Sequence, residues 1–216
     1  GLDTETHKGR VVLIATPRNY LEVWRYKQRE QWHVLIEWIR LQDTQFICWN
    51  ADYDIQATLK LMSKEPNETI WKMTRVDYGR YRVRFIPSKF FTVGLQHGKK
   101  DEYKTCFTVY DLMQFYSSSL EKAARKILGR GKKDPGVKWE NLLRELQHGR
   151  QSVRDKILAY CQEDALLVED LYKNSKEKFE SIGVNFEKPK SCASIAMQKF
   201  SKVMSHDVPK EVNLAF

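Results

Sequence analysis

The chain has 216 residues, 42% hydrophobic and 30% charged, with 37 Lys and Arg against 28 Asp and Glu for a formal net charge of +9. That length suits one domain, or one with a small appendage, and the composition excludes disordered and fibrous classes. The positive excess points to an anionic partner, most often nucleic acid. The longest apolar runs, such as Val11 to Ala15, fall far short of the roughly 20 residues a membrane helix needs. No signal peptide precedes the acidic, polar first residues, and four widely spaced cysteines (Cys48, Cys106, Cys161, Cys192) read as reduced core thiols of an intracellular protein.

In chain order, Asp3-Thr4-Glu5-Thr6 reads as the end of a strand and Val11 to Thr16 as a second strand after the turn Lys8-Gly9-Arg10. Glu30 to Leu41 has helical spacing, with Trp32, Leu35, Ile36, Trp38 and Ile39 crowding one side. Phe46 to Trp49 is a short buried strand, followed by a helix from about Tyr53 to Met62. Tyr81 to Phe91 and Tyr103 to Tyr110 read as two strands joined through Gln96 to Lys100. Helices are expected at Leu120 to Leu128, Trp139 to Gln147, Val153 to Phe179 and Ala193 to Met204. Strands first and helices later imply a mixed sheet covered by helices, an α/β or α+β domain. Between Leu120 and Lys156 lie eleven Lys and Arg against five Asp and Glu, either a solvated helical surface or a wall facing phosphates.

Three acidic clusters carry the chemistry. Asp3 and Glu5 are two apart in a strand and share a face. Asn50-Ala51-Asp52-Tyr53-Asp54 follows an apolar strand, where polar groups either cap a helix or bind a ligand. Asp52 is expected as a cap or simply exposed. Tyr160 and Asp164 are four apart on one helix face, with Glu163 pointing elsewhere into solvent. Four carboxylates at two strand ends and on a helix have the makings of a site for two hard cations. Oxygen-only ligands suit Mg²⁺ or Mn²⁺, and two such ions about 3.5–4 Å apart serve in-line displacement at phosphorus.

Asp3-x-Glu5, Asn50-x-x-x-Asp54 and Tyr160-x-x-x-Asp164, in this order, resemble the three motifs of the DEDDy class of 3′–5′ exonucleases. That class includes the ribonuclease H-like proofreading domain of family B DNA polymerases, and flanking features point to its protein-primed, organellar-plasmid or viral branch. Ser119-Leu120 resembles a motif of the family that contacts single strands, Lys132-Lys133-Asp134 its lysine motif, and Ser191 to Met197 the helix after the third motif. The related class with His five residues before the last Asp has no counterpart, since Ala159 stands there.

The resemblance implies an α/β, ribonuclease H-like fold over residues 1–185, with 186–216 a helical extension toward a polymerase domain of the same longer chain. It implies that Asp3, Glu5, Asp54 and Asp164 hold two divalent cations, Mg²⁺ or Mn²⁺, and that Tyr160 orients the water or the scissile phosphate. Thr6, Asn50 and Tyr53 would grip the terminal nucleotide, with Ser119, Leu120, Lys132 and Lys133 as further nucleic-acid contacts. The implied partner is a single-stranded DNA 3′ end, degraded to nucleoside monophosphates by a monomer without membrane attachment. Alternatives are a ribonuclease D-like RNA exonuclease and a nuclease-like fold serving only as a nucleic-acid scaffold.

Overall fold

The computed structural model describes residues 1–62, 75–98 and 102–207. The chain begins with a hairpin of β1 (Asp3–His7) and β2 (Arg10–Ala15). Its turn residues Lys8 and Gly9 have φ of 51° and 71°. Positive φ at both central positions matches the twist of the flanking strands. The register shifts between Glu5 and Thr6, leaving Val12 as the extra residue of a bulge. β3 (Tyr20–Glu22) completes a three-stranded antiparallel sheet.

α1 (Gln28–Gln42) follows and buries Trp32, Leu35, Ile36 and Ile39, the i, i+3, i+4, i+7 stripe of an amphipathic helix. Trp38, expected on the same side, packs at the margin of that core. β4 (Gln45–Cys48) leads into α2 (Ala51–Leu59), and β5 (Arg75–Tyr78), β6 (Tyr81–Ile86), β7 (Phe90–Gln96) and β8 (Tyr103–Asp111) form an antiparallel meander. β8 pairs in parallel with β4, giving a five-stranded mixed sheet in the order β4-β8-β7-β6-β5. The Leu2 amide donates to the Ile47 carbonyl at 2.8 Å, which sews the start of β1 to β4.

The second half is helical: α3 (Leu120–Leu128), α4 (Leu142–His148), the 31-residue α5 (Gln151–Ser181) and α6 (Cys192–Asp207). α1 and α2 pack against one face of the large sheet. α3, α5 and the segment carrying Val184 and Phe186 cover the opposite face near β4 and β8. α4 and α5 pack against β2. The result is a mixed α/β architecture flanked by helices. Phe186 and Ile195 belong to the same apolar cluster as Leu167 and Leu171, so the packing runs through position 186 without a break.

Four expectations change. Tyr81 to Phe91 is two strands, because Pro87 cannot donate to a ladder and Ser88 has φ of 54°. β3 and β5 were not foreseen; three or four residues give too short a run for a period to register. The helix expected from Trp139 begins as a 3₁₀ turn and becomes α-helical only at Leu142. Cys48 and Cys161 are buried, but Cys106 is half-buried and Cys192 exposed at the start of α6. Among the described residues, no helix is long and apolar enough to cross a membrane.

Candidate active site

Three elements bring acids to one place. β1 supplies Asp3 and Glu5, the first turn of α2 supplies Asp54, and the middle of α5 supplies Tyr160 and Asp164. The start of β1 is positioned by its backbone bond to β4. The start of α2 is positioned by Asp111, at the end of β8. Its carboxylate accepts the backbone amides of Asn50 at 3.1 Å, Ala51 at 3.0 Å and Met113 at 2.8 Å. These are among the amides a helix start leaves unpaired. Asn50 itself is left-handed, with φ of 66° and ψ of 61°, a conformation Asn tolerates better than most residues. Its side chain makes no hydrogen bond among the described residues. Asp52 does not cap α2; it accepts the Ser88 amide and hydroxyl, both at 2.7 Å, and so ties α2 to the β6–β7 turn.

Asp54 and Asp164 are only 6% and 1% exposed. The Thr4 hydroxyl donates to Asp54 Oδ1. The ligand atoms of Asp3, Glu5 and Cys161 lie within 4.8 Å of one another, with Cys161 Sγ 3.4 Å from Asp3 Oδ2. The Lys132 ammonium stands 2.5 Å from Asp164 Oδ2 and 5.1 Å from the centre of the Tyr160 ring. The Lys132 backbone is held by Glu121, whose Oε2 accepts its amide at 2.5 Å.

Burial and crowding set the charge states. Burial, then Glu5, Asp164 and Asp54, push Asp3 far above the usual carboxylate range. Burial, then Asp164, push Glu5 to about 8. Burial pushes Asp54 to about 7 against the opposing hydrogen bond from Thr4. Asp164 is also raised by burial, with Lys132 and the Tyr160 hydroxyl working against the shift. Lys132 is held above its usual value, because Asp164, Asp3 and Glu5 outweigh the burial that alone would lower it. The Tyr160 hydroxyl is driven far above its usual value by burial and then by Asp164, so it remains a donor at neutral pH.

Four carboxylates thus face one ammonium among the described residues. Buried acids in that excess stay charged only if cations join them. Every acid is an oxygen donor, which suits a hard divalent cation. Cys161 adds no thiolate, since burial and Asp3 push its thiol well upward.

Other expected contacts fall at varying distance from this cluster in the fold. The Thr6 and Tyr53 hydroxyls hydrogen-bond each other beside Glu5 and Asp54, with the Tyr53 ring 51% exposed. Ser119 caps α3, accepting the Lys122 amide at 3.3 Å, and Leu120 is buried in the core under α3. Lys133 turns to Glu163 at 3.3 Å, away from the acids. Glu163 is not free in solvent as expected, because Arg130 also binds it, at 2.8 Å. Asp111, in the flanking run Val109-Tyr110-Asp111-Leu112, has no role assigned by the sequence reading. Its one signal is an acid ending an apolar strand, the same pattern that singled out Asn50 to Asp54.

Compared with protein-family models, with curated proteins and with solved structures, the chain finds no match in any of the three.

Proposed function

We propose that the chain is a metal-dependent 3′–5′ exonuclease with a ribonuclease H-like fold, acting on single-stranded or mispaired DNA ends as the proofreading part of a family B DNA polymerase. The carrying observation is the convergence of Asp3, Glu5, Asp54 and Asp164 from three elements, with Tyr160 and Lys132 beside them. The order and spacing of the motifs resemble the DEDDy class, which is the source of the polarity and of the preference for DNA.

Asp3, Glu5, Asp54 and Asp164 would hold two Mg²⁺ or Mn²⁺ ions. When bound, such ions acidify a water and neutralise charge on the leaving oxygen. The residues of the chain do the rest. Tyr160, protonated, donates a hydrogen bond to the attacking water or to a phosphate oxygen. Lys132 supplies positive charge against the developing negative charge on the phosphate. The Thr6–Tyr53 lip seats the terminal sugar and base, and aromatic stacking is worth about 1–3 kcal/mol whatever the base. The water gives up a proton to solvent as its oxygen bonds to phosphorus, the bond to the upstream 3′ oxygen breaks, that oxygen takes a proton from solvent, and a nucleoside monophosphate leaves.

The test is a rate comparison on matched DNA and RNA oligomers with Mg²⁺. Stepwise shortening from the 3′ end that favours DNA supports the proposal. Faster shortening of RNA would mark a ribonuclease D-like enzyme, and divalent-ion binding without shortening of either would mark a scaffold.

A further inference from the structure

The Lys132 ammonium reaches the acids from a segment without regular structure. α3 closes at Gly129, whose φ of 69° turns the chain out of the helix, and residues 130–138 lead on to the 3₁₀ turn at Trp139. A lysine on such a loop brings its charge to one place only if the backbone beneath it is held, because an untethered loop keeps its conformational freedom.

Glu121, in the first turn of α3, supplies that hold. Its Oε2 accepts the Lys132 amide at 2.5 Å. Its Oε1 accepts Nε of Arg125, one helical turn on. Both oxygens are engaged, which fixes the carboxylate in one orientation. Gly131 lies flat against it, since a Cβ there would stand 2.5 and 2.6 Å from Oε1 and Oε2. The Lys132 amide and then Arg125 hold the Glu121 carboxyl below its usual value, so the bond to the loop is a charge-assisted one at neutral pH.

The ties on either side are of another kind. Arg130 binds Glu163 and Asp170, and Lys133 binds Glu163 at 3.3 Å. Both reach α5 through long, exposed side chains, which hold a backbone loosely. The tight line of contact runs from the Glu121 carboxylate to the Lys132 amide. From there the Lys132 ammonium reaches Asp164 Oδ2 at 2.5 Å and the Tyr160 ring at 5.1 Å.

We propose that Glu121 is a positioning residue for Lys132. It touches none of the four acids and acts by fixing the backbone from which the ammonium reaches Asp164 and Tyr160. Its effect on rate rests on the exonuclease reading, whereas the placement of the ammonium stands apart from it. An acid in a first turn also stabilises its own helix through the dipole, but that role alone would leave Lys132 where it is.

The test compares Glu121→Ala, Glu121→Gln, Gly131→Ala, Lys132→Ala and the double variant Glu121→Ala with Lys132→Ala, all in the full chain and shown folded by circular dichroism. In EDTA, the Tyr160 ring resonances report the ammonium beside the ring. Lys132→Ala should move them, and Glu121→Ala should move them the same way. Gly131→Ala, whose Cβ displaces the carboxylate from the amide, should do likewise. The double variant should match Lys132→Ala, and Glu121→Gln, which keeps an acceptor oxygen for the amide, should return most of the wild-type position.

With Mg²⁺ and single-stranded DNA, Glu121→Ala should slow the single-turnover rate about tenfold, the lower end for groups that orient a metal site from outside. The half-saturating DNA concentration should stay within about twofold. Added to Lys132→Ala, the same change should slow the reaction no further, because residues that act as a unit are not additive. Tyr160 resonances unmoved by Glu121→Ala, or a double variant slower than Lys132→Ala by the full tenfold, would overturn the proposal. If the wild type shortens no DNA, the exonuclease reading fails, and the resonances alone uphold or overturn the placement of Lys132 by Glu121.

Discussion

Asp54 at about 7 and Glu5 at about 8 stand well above their ordinary values of 3.8 and 4.5, with burial the leading cause in each. The consequence for stability has a definite sign. A carboxyl whose pKa is raised on folding binds more protons folded than unfolded between the two values. Stability therefore falls as pH rises through that window, here from about 4 to about 8. The metal-free chain is expected to melt at progressively lower temperature from pH 5 to pH 8 in EDTA. Mn²⁺ should raise the melting temperature more at pH 8 than at pH 5, because ligand binding to the folded state stabilises it and the acids must lose protons to bind. Scanning calorimetry at both pH values with and without Mn²⁺ is the check. A metal-free melting temperature that climbs over this range would contradict the buried-acid description.

Tyr160 makes a second prediction at the same scale. Its hydroxyl stays protonated, so its loss removes a donor and leaves the metal ligands in place. Tyr160→Phe should keep Mn²⁺ affinity within a fewfold while lowering kcat by about tenfold to hundredfold, the range for groups that orient a metal site from outside. Calorimetric Mn²⁺ titration beside a single-turnover rate separates the two effects. Most of these residues were legible in the sequence, because strand and helix periods place Asp3 with Glu5 and Tyr160 with Asp164 from spacing alone. Lys132 was distinguishable from Lys133 only in three dimensions. Their backbones are adjacent, but one ammonium reaches Asp164 and the other reaches Glu163.

Elements rather than residues decide where the acids meet, and Asp111 is the clearest case. Its carboxylate satisfies three backbone amides at the junction of β4, α2 and β8. Asp111→Ala should cost roughly 2–3 kcal/mol, more than an exposed cap because buried amides lose their acceptor. Asp111→Asn, which keeps an acceptor oxygen, should cost less. Urea unfolding of both variants measures the order. The larger loss should also lower the rate of the proposed exonuclease through displacement of Asp54, although Asp111 touches no ligand.

No reading of one segment at a time reveals this contact, because it joins residues 60 and 61 positions apart. The same limit hid the split of Tyr81 to Phe91. Its apolar and β-branched residues read as a strand, while Pro87 and Ser88, which break it, look like minor interruptions. The long helix α5 posed no such difficulty, since its buried positions from Ile157 to Leu171 keep one inward face.

Across the molecule, the basic stretch from Leu120 to Lys156 is less exposed as charge than its count implies. Arg125, Arg130, Lys132, Lys133 and Arg154 each pair with an acid. Lys122 and Lys126, one turn apart on α3, have no ion-pair partner among the described residues. If this surface meets a strand's phosphates, Lys122→Glu with Lys126→Glu should reduce the slope of log affinity against log salt by about two. An unchanged slope would return the stretch to a solvated helical face. Net charge raises the expectation of an anionic partner, but which charges remain available is a property of the packed molecule.

The central claim is that these four carboxylates form one metal-loaded hydrolytic centre, and it meets its most direct test in a gel. A 5′-labelled single-stranded DNA oligomer is incubated with Mn²⁺ and the full chain, and products are resolved to single nucleotides. The wild type should yield a ladder shortening from the 3′ end. Asp3→Asn and Asp164→Asn, folded by circular dichroism, should each slow it by more than about hundredfold, since a metal ligand matters more than its outer supports. A ladder of undiminished rate in either variant, or none from the wild type, would contradict the account.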